Sequence, residues 1–248
     1  MPHSPSLPLR GETILLTRPL KSSLNLRDQL LKHGASVVHI PTVKLVALQP
    51  ELPNLLETPY CALAFSSQNA WNFFLAQLEE NDRKLPEKTP RFSIGPATSE
   101  AMRPYGPVVE AKTRTGEGLA EAVWNHFGTT PEHPVLFPCS KSAHPTFAAK
   151  MAERGIQTHR LELYEPQTCV PGPIPIEVSR PSWVLLTSPS AVEGFVTHLH
   201  PIENAKIICM GPTTQKAAEA AGLKITLVPD QPGTEELIEA MINYVPRA

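Results

Sequence analysis

The chain has 248 residues, 41% of them hydrophobic, enough to bury a core without disulfide staples. Its 22 Lys and Arg against 24 Asp and Glu leave a net charge of -2, which excludes a broad basic face for nucleic acid but allows a local cationic cluster on an anionic ligand. Four widely spaced Cys, with no CxxC pair, give neither a disulfide framework nor zinc spacing, and 28 Pro with 13 Gly stay below the share that marks disorder.

Along the chain, short apolar runs alternate with helical patterns. The opening residues 1–8 hold no apolar run, so no secretory leader is expected, and the thiols read as reduced in a cytoplasmic protein. Strands are expected at 13–17, 36–40, 61–65, 91–94 and 108–111, and helices at 20–33, 69–78, 98–103 and 118–127. The longest uncharged stretch, 58–78, carries Ser66, Ser67, Gln68, Asn69, Asn72 and Gln77 and is too polar to span a membrane. Further strands are expected at 135–137, 158–164, 183–187, 206–210 and 225–228, with helices at 145–154, 191–198, 213–221 and 235–244. In the last of these Leu237, Ile238, Met241, Ile242 and Val245 recur at helical spacing, one apolar stripe. The strands are nearly all apolar, as strands buried on both faces are, and the alternation predicts parallel sheets covered by helices.

The sequence repeats itself. Ile14-Leu15-Leu16 resembles Val135-Leu136-Phe137, and the same offset carries Gly34 onto Gly155 and Ser67 onto Ser188. Ile94-Gly95-Pro96-Ala97-Thr98 has its counterpart in Met210-Gly211-Pro212-Thr213-Thr214. Two β/α units of roughly 120 residues therefore account for the chain. The proline-rich stretch 167–181 and its counterpart 40–44 read as extended connections that could run side by side as a two-stranded hinge.

No familiar catalytic kit is present: no GxGxxG after a strand, no GxxxxGK[ST], no GxSxG and no HExxH. What recurs is a hydroxyl-rich turn between each strand and the next helix, such as Ser66-Ser67-Gln68-Asn69 and Thr187-Ser188-Pro189-Ser190. In parallel sheets such turns lie at the carboxyl ends of strands, where ligands bind and where helix N-termini favour anions. Taken singly each is an N-cap. Taken together they would line a cleft with neutral donors for a ligand rich in carboxylates, with Arg18, Arg114 and Lys141 supplying charge.

Leu15-Leu16-Thr17-Arg18-Pro19, Phe65-Ser66-Ser67-Gln68-Asn69-Ala70, Ile94-Gly95-Pro96-Ala97-Thr98, Thr115-Gly116-Glu117-Gly118-Leu119-Ala120, Leu163-Tyr164, Leu186-Thr187-Ser188-Pro189-Ser190-Ala191 and Gly211-Pro212-Thr213-Thr214 follow one another over residues 13–244. In this order the chain resembles the uroporphyrinogen-III synthase family. The resemblance implies two flavodoxin-like α/β domains with parallel sheets, joined by a two-stranded linker, with the first βαβ of each repeat exchanged between domains. Domain one would hold 1–40 with 169–248, domain two 46–163, and the linker strands 41–45 and 164–168. It further implies a cofactor-free, metal-free cyclisation of the linear tetrapyrrole hydroxymethylbilane to uroporphyrinogen III, with inversion of ring D and loss of water. The alternative is a non-catalytic clamp for another polycarboxylate. Tyr164 matches the family tyrosine that would assist departure of hydroxide, though the family pattern after it is here replaced by Glu165-Pro166. Ser67, Thr98, Ser188, Ser190, Thr213 and Thr214 are carried over as carboxylate contacts, beside Arg18, Arg114 and Lys141. A monomer is expected, without nucleic-acid or membrane partners, and with room for a transient handover of the bilane from hydroxymethylbilane synthase.

Overall fold

Apolar runs such as Ile14-Leu15-Leu16 and Trp183-Val184-Leu185-Leu186 bury every side chain, which only a strand covered on both faces can do. The computed structural model describes residues 7–19, 23–49, 58–172 and 181–244. It divides into two units, Met1–Leu45 with Pro166–Ala248, and Val46–Glu165.

The discontinuous unit holds β1 (Thr13–Leu16), α1 (Leu24–Lys32), β2 (Ser36–His39), β9 (Trp183–Leu186), α6 (Pro189–His198), β10 (Lys206–Cys209), α7 (Pro212–Ala220), β11 (Ile225–Leu227) and α8 (Thr234–Tyr244). Its sheet runs β11-β10-β9-β1-β2, all parallel. Alternate residues point to opposite faces. Ile14, Leu16, Trp183 and Leu185 pack with Leu26, Leu30, Leu237 and Met241, while Leu15, Val184 and Leu186 pack with Val192, Phe195 and Ala218.

The continuous unit holds β4 (Ala62–Phe65), α2 (Gln68–Glu80), β5 (Arg91–Ser93), α3 (Pro96–Met102), β6 (Val109–Glu110), α4 (Gly116–Phe127), β7 (Val135–Ser140) and α5 (Thr146–Ala152). Two strands, β3 (Val43–Ala47) and β8 (Thr158–Thr168), carry the chain across the boundary between units. The sheet order is β3-β8-β7-β4-β5-β6. On one face Ala62, Ala64, Val135 and Phe137 meet Leu119, Val123, Phe147 and Met151. On the other, Phe65 packs edge-on against Trp71 and tilted against Phe74, with ring centroids 5.1 and 5.6 Å apart.

The order of strands bears out the expected exchange. β1 and β2 of the first repeat share a sheet with β9 to β11 of the second through the β1–β9 pairing, and β7 and β8 of the second share a sheet with β4 to β6 of the first through the β7–β4 pairing. The two crossing strands are neighbours. Cys169 N–H donates to Thr42 and Leu48 N–H to Leu163, at 2.9 and 2.8 Å, a register that makes β3 and β8 antiparallel.

Three boundaries differ from expectation by more than two residues. The strand expected at 135–137 runs to Ser140, through Pro138. Val135 donates to Gln157 beside β8, so the even-numbered positions of β7 face β4, where pairing ends at Leu136. Pro138 therefore removes no ladder bond. The strand expected at 158–164 continues to Thr168, because β3 pairs with its second half. The helix expected from 20 begins at Leu24; residues 20–22, the prolines at 173–180 and Val245 lie outside the described residues.

Candidate functional site

All the residues singled out from the sequence follow the carboxyl end of a parallel strand or, for Tyr164, lie well along one. In the continuous unit, Ser67 follows β4 and caps α2, its Oγ accepting from Ala70 N–H at 3.1 Å. The same Oγ lies 3.1 Å from the phenol oxygen of Tyr164 on β8. Tyr164 is 6% exposed, and its ring stacks on Phe73 of α2, with centroids 4.6 Å apart and planes 12° from parallel. Its carbonyl accepts from Lys141 N–H at 2.9 Å. The Lys141 Nζ lies 3.2 Å from Glu165, a partly exposed ion pair beside the tyrosine.

A bulge places this phenol. From Val135 to Cys139 the β7–β8 register advances one residue at a time, then Ser140 faces Tyr164 and Leu163 is passed over. Burial pushes the phenol above the ordinary tyrosine value, the Ser67 hydrogen bond pulls it back, and the nearby Cys139 adds to the rise. Tyr164 is thus a protonated donor at neutral pH.

A second group forms around the turn after β5. A Cβ on Gly95 would come 3.2 Å from Cγ of Arg114, so the Arg114 stem lies over the turn that starts α3. Thr98 is buried within that turn, and Ser99 links it to β6 by a hydrogen bond of 2.6 Å to Glu110. In the discontinuous unit, Ser188 caps α6 by accepting from Ala191 N–H at 3.2 Å and shares a hydrogen bond of 3.0 Å with Ser190. At the start of α7, Thr213 is exposed and Thr214 is buried. Arg18 follows β1; its carbonyl accepts from His39 Nε2 at 2.6 Å, and burial lowers its guanidinium from the ordinary value. Arg18 is half-buried, and among the described residues no carboxylate lies within ion-pair distance of it.

Ser67, Tyr164 and Lys141 are therefore brought together, as are Ser188 with Ser190, and Arg114 lies over Gly95 at the start of the turn that carries Thr98. Thr98 and Thr214 present buried hydroxyls, whereas Thr213 faces solvent. An open hollow of about 280 Å³ beside β6 and α4, lined by Glu110, Lys112, Glu121 and His126, includes none of these residues. Among the described residues no group of His, Cys, Asp and Glu could hold a metal, and no helix is long and apolar enough to cross a membrane.

The family profile described as uroporphyrinogen-III synthase HemD matches residues 25–239. The chain belongs to the uroporphyrinogen-III synthase family. It is similar to the porphyrin biosynthesis protein HemD of Ruminiclostridium josui, 24% identical over 251 residues, covering 95% of this chain and 49% of that protein. The chain thus spans about half the length of that relative. It is also similar to the uroporphyrinogen-III synthase of Schizosaccharomyces pombe, 26% identical, covering 86% of this chain and 89% of that one. The uroporphyrinogen-III synthetase structure from Helicobacter pylori shares the fold, with a TM-score of 0.59 at 17% identity, over 94% of this chain and 99% of that one.

Within the synthase family framework, two residues beside Tyr164 escaped the sequence reading. Phe73 lies in the helix expected at 69–78 and was not singled out there, although the repeat sets it against Gly194. Glu165 was noticed only as a departure from the family pattern; in the structure it meets Lys141.

Proposed function

We propose that this chain cyclises hydroxymethylbilane to uroporphyrinogen III, inverting ring D and releasing water. The observation that carries the reading is Tyr164, a buried phenol kept protonated and held by Ser67 on the carboxyl side of its sheet. Its hydrogen bond to the terminal hydroxyl lets hydroxide depart as water, leaving an azafulvene cation. That cation is attacked by the substituted carbon of ring D, and the resulting spiro centre fragments and recloses. The proton given up at departure returns when the newly bonded pyrrole carbon loses its own. No strong acid or base is needed, because the reaction depends chiefly on folding the bilane and shielding its cations.

Arg18, Arg114 and Lys141, with the hydroxyls of Ser188, Ser190 and Thr213, supply contacts for the carboxylates of the bilane, while the Ser67 hydroxyl is committed to Tyr164. Thr98 and Thr214, being buried, hold the shape of their turns. The reading carries with it a cytoplasmic monomer that receives the bilane in a transient contact with hydroxymethylbilane synthase.

The test is a coupled assay. The bilane is generated in situ, this protein is added, the products are oxidised, and isomers I and III are separated by chromatography. Isomer III is expected in large excess, reduced at least tenfold in rate by Tyr164→Phe, on the order of what one positioned proton donor contributes. Isomer I alone, from folded protein, overturns the reading.

A further inference from the structure

The repeat offers a comparison between the two units at the helix beside the tyrosine. Ser67 and Ser188 occupy the same place, each capping its helix through the N–H three residues on. Phe74 and Phe195, seven residues beyond their caps, are both buried in the core. The position just before them differs: Phe73 in α2, Gly194 in α6. In the discontinuous unit a Cβ on Gly194 would stand 2.6 Å from both the carbonyl and the hydroxyl oxygen of Thr42, so the crossing chain lies directly on the helix. In the continuous unit the equivalent position carries an aromatic ring, and the chain passing over it carries Tyr164, displaced by the bulge at Leu163.

We infer that Phe73 is the positioning residue for Tyr164: standing where the other unit has glycine, its ring fixes the plane of the phenol while Ser67 fixes its oxygen. Two contacts from one helix define both the site and the tilt of the donor. Ser67 Oγ already accepts from Ala70 N–H, so its own proton is available to the phenol oxygen. The phenol proton is then free to point at a ligand. Without the Phe73 face the ring is pinned at one end and can swing. The consequence for turnover rests on the synthase reading; the placement itself does not.

The experiment uses the full chain. Phe73→Ala should lower kcat for isomer III roughly tenfold or more, as loss of alignment does, with KM for the bilane little changed. Isomer I should rise correspondingly. Phe73→Tyr, which keeps a flat face, should restore most of kcat. In a Tyr164→Phe background, Phe73→Ala should add no further loss, because the two act as one device. Phe73→Leu keeps apolar bulk without a flat face; it is used where Phe73→Ala is poorly folded by thermal unfolding and should show the same loss of kcat.

An unchanged kcat in Phe73→Ala, or an equal added loss in the Tyr164→Phe background, overturns the inference. Should the wild-type protein yield isomer I only, the synthase reading falls and a separate readout decides the placement. The Tyr164 transition is isolated by ultraviolet titration as the difference from Tyr164→Phe; beside it lie Ser67, Cys139, and the Lys141–Glu165 pair on its flank. Phe73→Ala should bring that transition down towards the ordinary tyrosine value, and no movement overturns the inference.

Discussion

Gly194 shows how much a single missing side chain can decide. The residue it would strike, Thr42, is itself buried, donates its N–H to Thr17 at 2.9 Å, and accepts from Cys169 at 2.9 Å. Gly194→Ala must therefore displace the point at which both crossing strands are tied to the β1 turn. In an ordinary helix interior the change would stabilise by up to about 1 kcal/mol. Here overpacking outweighs propensity, and a loss of about 1–3 kcal/mol is expected in urea denaturation. A gain would mean that Thr42 has room to give. Nothing in the sequence marked Gly194, because its partner lies more than 150 positions away in the chain. Tyr164 was legible only through the family motifs, whereas Ser67 also stood out in its hydroxyl-rich turn and in the repeat; their hydrogen bond depends on a bulge that no local pattern announces.

Helix caps were the most legible elements, since a hydroxyl three residues ahead of a free N–H needs only local geometry. Ser67 and Ser188 cap with nearly equal bonds, 3.1 and 3.2 Å. Substitution of either by Ala is expected to cost about 1 kcal/mol, or roughly 2–4 °C in Tm for a chain of this size. The two variants should separate in turnover, with Ser67→Ala losing more isomer III than Ser188→Ala, because only Ser67 also touches Tyr164. Differential scanning calorimetry beside the isomer assay makes the comparison; an unchanged Tm in Ser188→Ala would dismiss the cap. Strand ends were less legible. Pro138 reads locally as a terminator, and its tolerance within β7 follows from where the β4 ladder stops, which is a property of the sheet. The length of β8 likewise follows from its pairing with β3.

The repeat was visible in the sequence, but the exchange of its halves was not, because a repeat is a local likeness and strand pairing is a choice among distant partners. Here β1 sits between β2 and β9, and β7 between β4 and β8. One repeat taken alone therefore has two incomplete sheets: β1 lacks β9, and β4 lacks β7. Residues 43–168, by contrast, contain every strand of the six-stranded sheet, both of its faces, and the bulge that carries Tyr164. We expect the fragment 43–168 to unfold cooperatively on heating and to retain near-ultraviolet circular dichroism. The fragment 1–128, of similar length and also bearing Trp71 and Trp124, should do neither. Length and tryptophan content are matched, so the main difference between the two is the partnering of strands. A cooperative transition in 1–128 would mean that a repeat can pair its own strands, and that the exchange is one arrangement of this sequence among several and not the one its core requires.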